Sequence, residues 1–306
     1  MGEPKAILLM GATATGKTDL AVKLAQQFPV ELISVDSALI YSEMDIGTAK
    51  PEPEILAKAP HHFIDIIDPA QSWSAWEFVQ QASELIRGIN ERGKLPVLVG
   101  GTMMYFNALE QGLNDLPMAD EKTRANLNQR LQLEGLTALY NELLQIDAAT
   151  AARVKPTDPQ RIMRALEVFQ LTGKPMSQLL SQTSQRPKFD FKRVILDVPD
   201  RTELHQRIEQ RFHIMLEQGF EQEVETLRRR GDLNLDMPSM RCVGYRQMWQ
   251  YLEGNLTQDE MVSKAVVATR QLAKRQLTWL RKYDQVYRVD YRKYSYKAIC
   301  EHLQLG

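Results

Sequence analysis

The chain has 306 residues, 43% of them hydrophobic and 25% charged, with two cysteines and a formal net charge of −1 at pH 7. This length and apolar content allow a sizeable core in one large domain or two smaller ones, while Cys242 and Cys300 lack the spacing of a zinc site or a disulfide framework. No apolar segment approaches the roughly 20 residues of a membrane span, and no signal peptide precedes the first apolar segment, so we predict a cytoplasmic protein that does not contact membranes.

Charge is distributed unevenly along the chain. Residues 1–100 contain 8 Lys and Arg against 13 Asp and Glu, whereas residues 241–306 contain 12 against 6. A basic end on an otherwise acidic protein suits a polyanionic partner. The same charges would also fit the solvated faces of ordinary helices, so the asymmetry alone does not decide between these two interpretations.

In the first hundred residues, short apolar segments alternate with amphipathic ones. The predicted strands are residues 5–10, 30–35, 62–67 and 95–99, and the predicted helices are residues 17–28 and 74–92. Such alternation predicts an α/β fold with a parallel sheet flanked by helices. We interpret Trp73 and Trp76 as core residues rather than parts of a ligand cage.

The pattern changes in the rest of the chain. Residues 120–182 show only helical patterns, a further strand is predicted at residues 192–198, and arginine-rich helices are predicted at residues 201–230 and 257–283. We therefore predict an inserted helical subdomain within the α/β core. The predicted division is residues 1–118 for the first part of the core, 119–185 for the insertion and 186–306 for the remainder of the core.

A glycine-bounded loop follows the first predicted strand. Residues 11–18 read GATATGKT and match G-x-x-x-x-G-K-[ST] between a strand and a helix, which is typical of nucleotide-binding and ATP-binding P-loops. Its backbone N–H groups surround phosphate oxygens, Lys17 reaches the terminal phosphate, and the Thr18 hydroxyl can bind Mg²⁺. The predicted diphosphate-binding or nucleotide-binding residues are Gly11, Ala12, Thr13, Ala14, Thr15, Gly16, Lys17 and Thr18.

An acidic residue, Asp36, ends the next predicted strand. The carboxyl ends of neighbouring parallel strands meet at one edge of a sheet, so Asp36 is expected to face the loop. No apolar segment ends in the Asp-Glu pair that a nucleotide hydrolase would use. This arrangement favours a transferase, in which the carboxylate takes a proton from an attacking acceptor.

Several later segments resemble those of one enzyme family. They are DSALIY at 36–41, MDIGTAKP at 44–51, GGTMMY at 100–105, DPQRIMRALE at 158–167, RCVGYRQ at 241–247, TRQLAKRQ at 269–276 and WLR at 279–281. In this order they resemble the tRNA dimethylallyltransferases, also called tRNA isopentenyltransferases, of the IPP transferase family in its bacterial form. The chain departs from the commoner pattern at Ala38, Leu39 and Ile40, where many members have Met-Gln-Val, and at Met103 and Met104.

The resemblance implies a P-loop NTPase-like fold and a specific reaction. A dimethylallyl group would pass from dimethylallyl diphosphate to the exocyclic amine (N6) of adenosine 37 in tRNAs reading codons that begin with U. Asp36 would act as the base, Lys17 would stabilise the departing diphosphate with Mg²⁺, and Thr102 would hydrogen-bond a reacting group. The implied partner is the anticodon stem-loop of tRNA, bound by a monomer.

The matched segments also imply contacts to the RNA, whose target base must be flipped out of its stack. Arg124, inside the predicted insertion, is added because of its position. The predicted tRNA-binding residues are Asp36, Ser37, Ala38, Leu39, Thr102, Arg124, Pro159, Gln160, Arg161, Ile162, Met163, Arg164, Arg241, Cys242, Val243, Gly244, Tyr245, Arg246, Lys274, Arg275, Gln276 and Arg281.

Three other functions remain open at this point. A prenyltransferase acting on free adenine nucleotide would share the loop and Asp36 but would not need the basic segment at 269–276. A small-molecule kinase would use ATP, and the helical insertion would then be its lid. A nucleotide-switched RNA-binding protein without catalysis would have no use for Asp36 beside the loop.

Overall fold

A computed structural model of the chain describes residues 3–114, 116–118, 120–181, 187–284 and 286–305. Within these residues, six parallel strands form one sheet in the order β3-β2-β4-β1-β5-β6. The strands are β1 Lys5–Gly11, β2 Val30–Val35, β3 His61–His62, β4 Leu95–Gly100, β5 Asp190–Asp197 and β6 Tyr287–Asp290.

Helices separate the strands along the chain. They are α1 Lys17–Gln27, α2 Pro53–Lys58, α3 Ala75–Glu91, α4 Met103–Gln111, α5 Glu121–Ile146, α6 Ala148–Ala151, α7 Pro159–Thr172, α8 Met176–Leu180, α9 Arg201–Glu217, α10 Phe220–Arg229, α11 Tyr245–Leu252, α12 Gln258–Leu280 and α13 Tyr296–Leu303. A parallel sheet flanked by helices, with the glycine-bounded loop joining β1 to α1, confirms the predicted P-loop NTPase-like α/β fold.

The central strands are buried because their sequences are apolar on both faces. In β1, β2 and β4 nearly every residue is buried, as expected when helices cover both sides of a parallel sheet. Local sequence also determines where α3 begins. Ser74 Oγ accepts a hydrogen bond from the Glu77 N–H, and Glu77 Oε2 accepts one from the Ser74 N–H, which satisfies two donors at the start of the helix.

Two predicted elements are wrong. Residues 62–67 do not form a strand, because Phe63 and Asp65 have positive φ angles of 66° and 54° and turn the chain away from the sheet after His62. The single helix predicted at 201–230 is two helices, α9 and α10, separated at Gly219, whose φ is 99°. The core assignment of Trp76 is also wrong, since its side chain is half exposed.

The described chain separates into two compact units, residues 1–110 with 188–306, and residues 111–187. The boundaries predicted from the sequence involve residues 119, 185 and 186, which lie outside the described residues. The first unit contains the sheet. None of the described helices is both long and apolar enough to cross a membrane.

The second unit, residues 111–187, has its own apolar core. Leu127, Leu139, Leu143 and Leu166 are fully buried in it. The break in α5 occurs at Gly135, whose φ of 80° is tolerated because glycine has no Cβ. Burial of this core explains why the helices of this segment hold together without a strand among the described residues.

Candidate active site

The carboxyl ends of three central strands form one side of a cavity of about 790 Å³. Val35 at the end of β2 pairs with Gly100 of β4, and Gly100 pairs with Met10 of β1. Neighbouring strands lie about 4.8 Å apart, so the ends of β2 and β1 are separated by roughly 10 Å. The segments that follow them therefore face each other across a space that fits a small substrate.

The glycine-bounded loop wraps the amino end of α1. Ala14 and Gly16 have positive φ angles of 62° and 75°, and these turns direct the loop around the helix terminus, where unpaired N–H groups attract anions. The Thr15 hydroxyl, which is buried, donates to the Ala12 carbonyl at 2.8 Å. The Lys17 ammonium donates to the same carbonyl at 2.6 Å, so its charge lies over the loop.

The side chain of Gln276, on α12, joins two loops of the site. Its Oε1 accepts a hydrogen bond from the Thr13 N–H at 2.8 Å, and its Nε2 donates to the Gly101 carbonyl at 2.9 Å. Gln276 is only 8% exposed. Its predicted contact with RNA stays a prediction, but this amide is already engaged in holding the phosphate loop against the turn after β4.

Asp36 and Thr102 are brought together at the ends of β2 and β4. A Cβ on Gly100 would lie 2.0 Å from the Val35 carbonyl oxygen, so the close approach of the two strand ends requires glycine. The Ser37 N–H donates to Thr102 Oγ1 at 3.0 Å, and the Ala38 N–H donates to Asp36 Oδ1 at 2.9 Å. The second carboxylate oxygen of Asp36 has no hydrogen-bond donor among the described residues, and the Asp36 side chain lines the cavity.

Lys17 and Arg211 are two desolvated cations of the cavity, and Asp36 acts on the pKa of both. Desolvation lowers the pKa of Lys17 to about 8, while Asp36 acts to raise it and Arg211 to lower it further. Desolvation also lowers the pKa of Arg211 below its ordinary value, again opposed by Asp36. Such a partly desolvated pair of cations is suited to bind an anion.

Sequence reasoning did not identify Arg211 as a site residue. It lies on α9, and only the fold brings this helix over the carboxyl ends of the strands, where Arg207 and Arg211 line the cavity. Its local signal is an arginine in a charged amphipathic helix, which is typical of solvated surfaces. Nothing in its immediate sequence distinguishes it from its neighbours.

The segment at 241–246 forms another part of the wall. Arg241, Cys242, Val243 and Gly244 line the cavity. Burial raises the pKa of the Cys242 thiol to about 12, with a smaller contribution from Asp36, so the thiol is neutral at physiological pH. Tyr245 is fully buried, and its predicted contact with RNA stays a prediction.

The predicted cations of the sheet-containing unit differ in their exposure. Lys274, Arg275 and Arg281 are exposed, and no carboxylate among the described residues forms an ion pair with them. Arg246 donates to the Leu235 carbonyl at 3.3 Å. The first three side chains are therefore available to phosphate groups, whereas Arg246 already bonds the main chain.

Within the helical unit, the predicted RNA-binding residues fall into two groups. Arg124 and Arg164 both pair with the buried carboxylate of Glu167, at 2.9 and 2.6 Å, so their charges are largely used inside the unit. Ile162 is fully buried in the apolar core, and its predicted contact with RNA stays a prediction. The side chains of Pro159, Gln160 and Arg161 are exposed on the first turn of α7 and Met163 is partly buried.

The metal prediction rests on Thr18. Among the described residues there is no cluster of three or more His, Cys, Asp or Glu side chains that could hold a metal ion. Mg²⁺ commonly takes one or two protein oxygens and completes its shell with phosphate and water. The Thr18 hydroxyl lines the cavity on the first turn of α1, so the site fits Mg²⁺ that arrives with a diphosphate rather than a resident metal.

Comparisons with known proteins extend over most of the chain. A family model described as IPP transferase matches residues 39–283. The chain is 56% identical to a tRNA dimethylallyltransferase of Neisseria meningitidis over 284 residues, which cover 92% of this chain and 91% of that protein.

Two solved structures show the same fold. A full-length tRNA isopentenylpyrophosphate transferase of Bacillus halodurans has a TM-score of 0.71 and 38% identity, with 99% of this chain and 96% of that chain covered. A eukaryotic dimethylallyltransferase studied while acting on tRNA has a TM-score of 0.79 and 27% identity, with 94% of this chain and 74% of that chain covered.

Proposed function

Because this chain belongs to the IPP transferase family, as its sequence motifs indicated, we propose that it transfers a dimethylallyl group from dimethylallyl diphosphate to tRNA. The acceptor is the exocyclic amine of adenosine 37, beside the anticodon, in tRNAs that read codons beginning with U. The products are N6-isopentenyladenosine and diphosphate. The name of the Neisseria relative supports both substrate classes.

One observation carries this proposal: a carboxylate faces two cations across the cavity. Lys17 and Arg211 lie where a diphosphate would rest on the loop N–H groups, and Asp36 lies on the opposite strand end. A hydrolase would need a group that activates water next to the phosphate. Here the strand end that carries Asp36 lies about two strand spacings from the end of β1, which leaves room for the prenyl carbon and an incoming amine.

The proposed step is a displacement at the first carbon of the donor. The adenosine amine attacks that carbon, the carbon–oxygen bond breaks, and the bonding electrons leave with the diphosphate. Lys17, Arg211 and the N–H groups of the loop stabilise the charge that develops on the leaving group. Asp36 accepts the proton that the amine loses, and Thr102, beside it, orients the base or the bridging oxygen.

Mg²⁺ is part of this proposal. The Thr18 hydroxyl would hold it together with diphosphate oxygens and water, and the bound ion would neutralise charge on the leaving group. The residues of the chain itself bind and orient the diphosphate through the loop and the two cations.

The RNA is proposed to bind on the exposed cations of α12 and of the following turn, Lys274, Arg275 and Arg281, of which Arg275 lines the cavity. The target base must leave its stack to reach Asp36, and the helical insertion at 119–185 is proposed to contact the same RNA. We propose that the protein acts as a monomer on the anticodon stem-loop, in the cytoplasm where its substrate is found.

The decisive experiment is incubation of the purified protein with labelled dimethylallyl diphosphate and unmodified tRNA. Label is expected in the tRNA and absent when a tRNA with guanosine at position 37 replaces it, since guanosine has a carbonyl oxygen at C6 where adenosine has the amine. Parallel incubations with AMP, and with ATP in place of the prenyl donor, test the free-nucleotide transferase and the kinase. Label transfer to AMP but not to tRNA, or phosphate transfer from ATP, would reject the proposal.

A further inference from the structure

One carboxylate outside the cavity holds four hydrogen-bond donors. Glu223, on the first turn of α10, accepts from the N–H groups of Asp45 at 2.8 Å, Ile46 at 2.7 Å and Gly47 at 3.1 Å. It also accepts from the Tyr245 hydroxyl at 2.5 Å. Three successive backbone donors on one carboxylate form an anion-binding turn whose anion is supplied by the protein itself.

The arrangement fixes the conformation of residues 45–48, here called the clamped loop. Burial, together with Glu223, raises the pKa of Tyr245 well above its ordinary value, so its hydroxyl remains a donor. A Cβ on Gly47 would lie 2.2 Å from the Phe220 ring, so the loop is pressed against α10 with no space for a side chain. The clamped loop therefore cannot shift toward α10, and Glu223 prevents it from moving away.

The clamped loop connects this carboxylate to the active site. Thr48 and Gly47 line the cavity. The Thr48 carbonyl accepts a hydrogen bond from Arg211 Nη2 at 3.4 Å, while the Thr48 hydroxyl donates to the Met44 carbonyl at 2.7 Å. The partly desolvated guanidinium of Arg211 thus takes part of its orientation from a carbonyl whose position depends on Glu223.

We propose that Glu223 is a positioning residue for the diphosphate site. It holds the clamped loop, the loop orients Arg211, and Arg211 binds the diphosphate of the donor. The inference rests on the proposed function for the identity of the donor, but the effect on an anion bound to the loop can be measured without prenyl transfer. Glu223 does not touch the substrate, and removal of its charge leaves three N–H donors facing a weaker acceptor.

The test is Glu223→Gln, which keeps the side-chain volume but loses the charge and turns an amide N–H toward the loop. Hydrogen bonds to charged groups contribute enough to expect about a tenfold weaker affinity for isopentyl diphosphate, the saturated and unreactive donor analogue, measured by titration calorimetry. The affinity for tRNA is expected to stay within about twofold. Glu225→Gln is the matched control, because Glu225 lies on the same helix and pairs with Arg229 at the surface.

A double-mutant cycle shows whether the effect passes through Arg211. In an Arg211→Ala background, Glu223→Gln should weaken isopentyl diphosphate binding by less than about twofold further. Unchanged affinity for the analogue in the single variant would overturn the proposal. A full additional tenfold loss in the Arg211→Ala background would do the same, since it would show that Glu223 acts independently of the guanidinium.

A milder variant guards against failure to fold. Tyr245→Phe removes one of the four donors and retains the charge and the three N–H contacts, so it should weaken analogue binding in the same direction by about two- to threefold. Equal loss of analogue and tRNA affinity in both variants would indicate general destabilisation and reject a positioning role. If the wild-type protein binds the analogue but modifies no RNA, the proposed function fails while the clamp remains testable by binding.

Discussion

Lys17 is expected to make the binding of the prenyl diphosphate depend on pH in a range where ordinary lysines do not titrate. Desolvation lowers its pKa to about 8 in the ligand-free site. As the pH rises through that value the ammonium loses its proton and with it the attraction for a diphosphate, so affinity is nearly full at pH 7 and falls progressively through pH 8. About nine-tenths of the lysine is charged at pH 7 and about one-tenth at pH 9, which predicts about a tenfold weaker affinity at pH 9.

Isopentyl diphosphate suits the measurement, because the last phosphate proton of such esters titrates near pH 6 and does not interfere. Calorimetric titrations at pH 7, 8 and 9 should follow the Lys17 titration. Lys17→Arg should abolish the dependence, since an arginine stays charged throughout. Lys23→Met is the matched control, because Lys23 lies on the same helix and covers the Tyr296 ring instead.

A second substitution tests whether Asp36 contributes to the pKa of Lys17, through the direction in which it moves the loss of affinity along the pH scale. Asp36 acts to raise the pKa of Lys17, so Asp36→Asn should move the loss of affinity to lower pH. A wild-type affinity that is constant from pH 7 to 9 would refute the reasoning. So would a tenfold loss that persists in Lys17→Arg, because the titrating group would then lie elsewhere.

Three further substitutions test the proton acceptor, the packing at the carboxyl ends of β2 and β4, and the proposed RNA-binding surface. Asp36→Asn should lower kcat by about a hundredfold or more in a single-turnover prenylation assay while tRNA affinity stays nearly intact, because it removes only the proton acceptor. Gly100→Ala should lower the thermal midpoint of unfolding by several degrees, since its Cβ would lie 2.0 Å from a carbonyl oxygen of β2. Lys274→Ala should weaken tRNA binding and reduce the slope of log affinity against log salt by about one.

Each of these has a control and a contradicting result. Loss of tRNA affinity in Asp36→Asn would remove Asp36 from the role of base. Gly88→Ala is the control for Gly100→Ala, since its Cβ would meet only the flexible end of Arg92 at 3.3 Å. Equal stability of these two alanine variants would contradict the packing argument. Lys264→Ala, on an exposed face of the same helix, should leave the salt slope unchanged.

The sequence alone predicted the central sheet and one face of the site because both depend on local signals. Buried parallel strands are apolar on both faces, so β1, β2 and β4 are legible as short apolar segments. The loop at 11–18 carries its own glycines and lysine. The position of Asp36 beside the loop follows from topology alone, because the carboxyl ends of parallel strands meet at one edge of the sheet.

The residues that sequence reasoning missed depend on contacts that are distant along the chain. Arg211 is separated from the clamped loop by more than 160 positions, and Glu223 from the same loop by 176 to 178. On their own helices both look like ordinary charged surface residues. Their roles arise only where α9 and α10 meet the segment that follows β2.

The wrong predictions have a conformational cause. The segment at 62–67 is rich in apolar residues, as a strand would be, but it folds back, and the N–H groups of Ile66 and Ile67 donate to the Ile40 carbonyl. Glycine at 219 looks tolerable inside a long amphipathic pattern, yet its φ of 99° ends one helix and begins another. Periodicity reports which side chains share a face and contains no information about the sign of φ.

The hydrogen bonds of the Gln276 amide fix the rotation of α12 about its own axis. Within one turn this helix directs Gln276 inward onto the phosphate loop and presents Lys274 and Arg275 to solvent. Each residue advances an α-helix by about 100°, so a single deletion between Thr257, which caps the helix, and this turn would rotate all three together. The amide would leave the loop and the cations would leave their exposed face, so we expect one such deletion to weaken the proposed binding of the prenyl donor and of nucleic acid together.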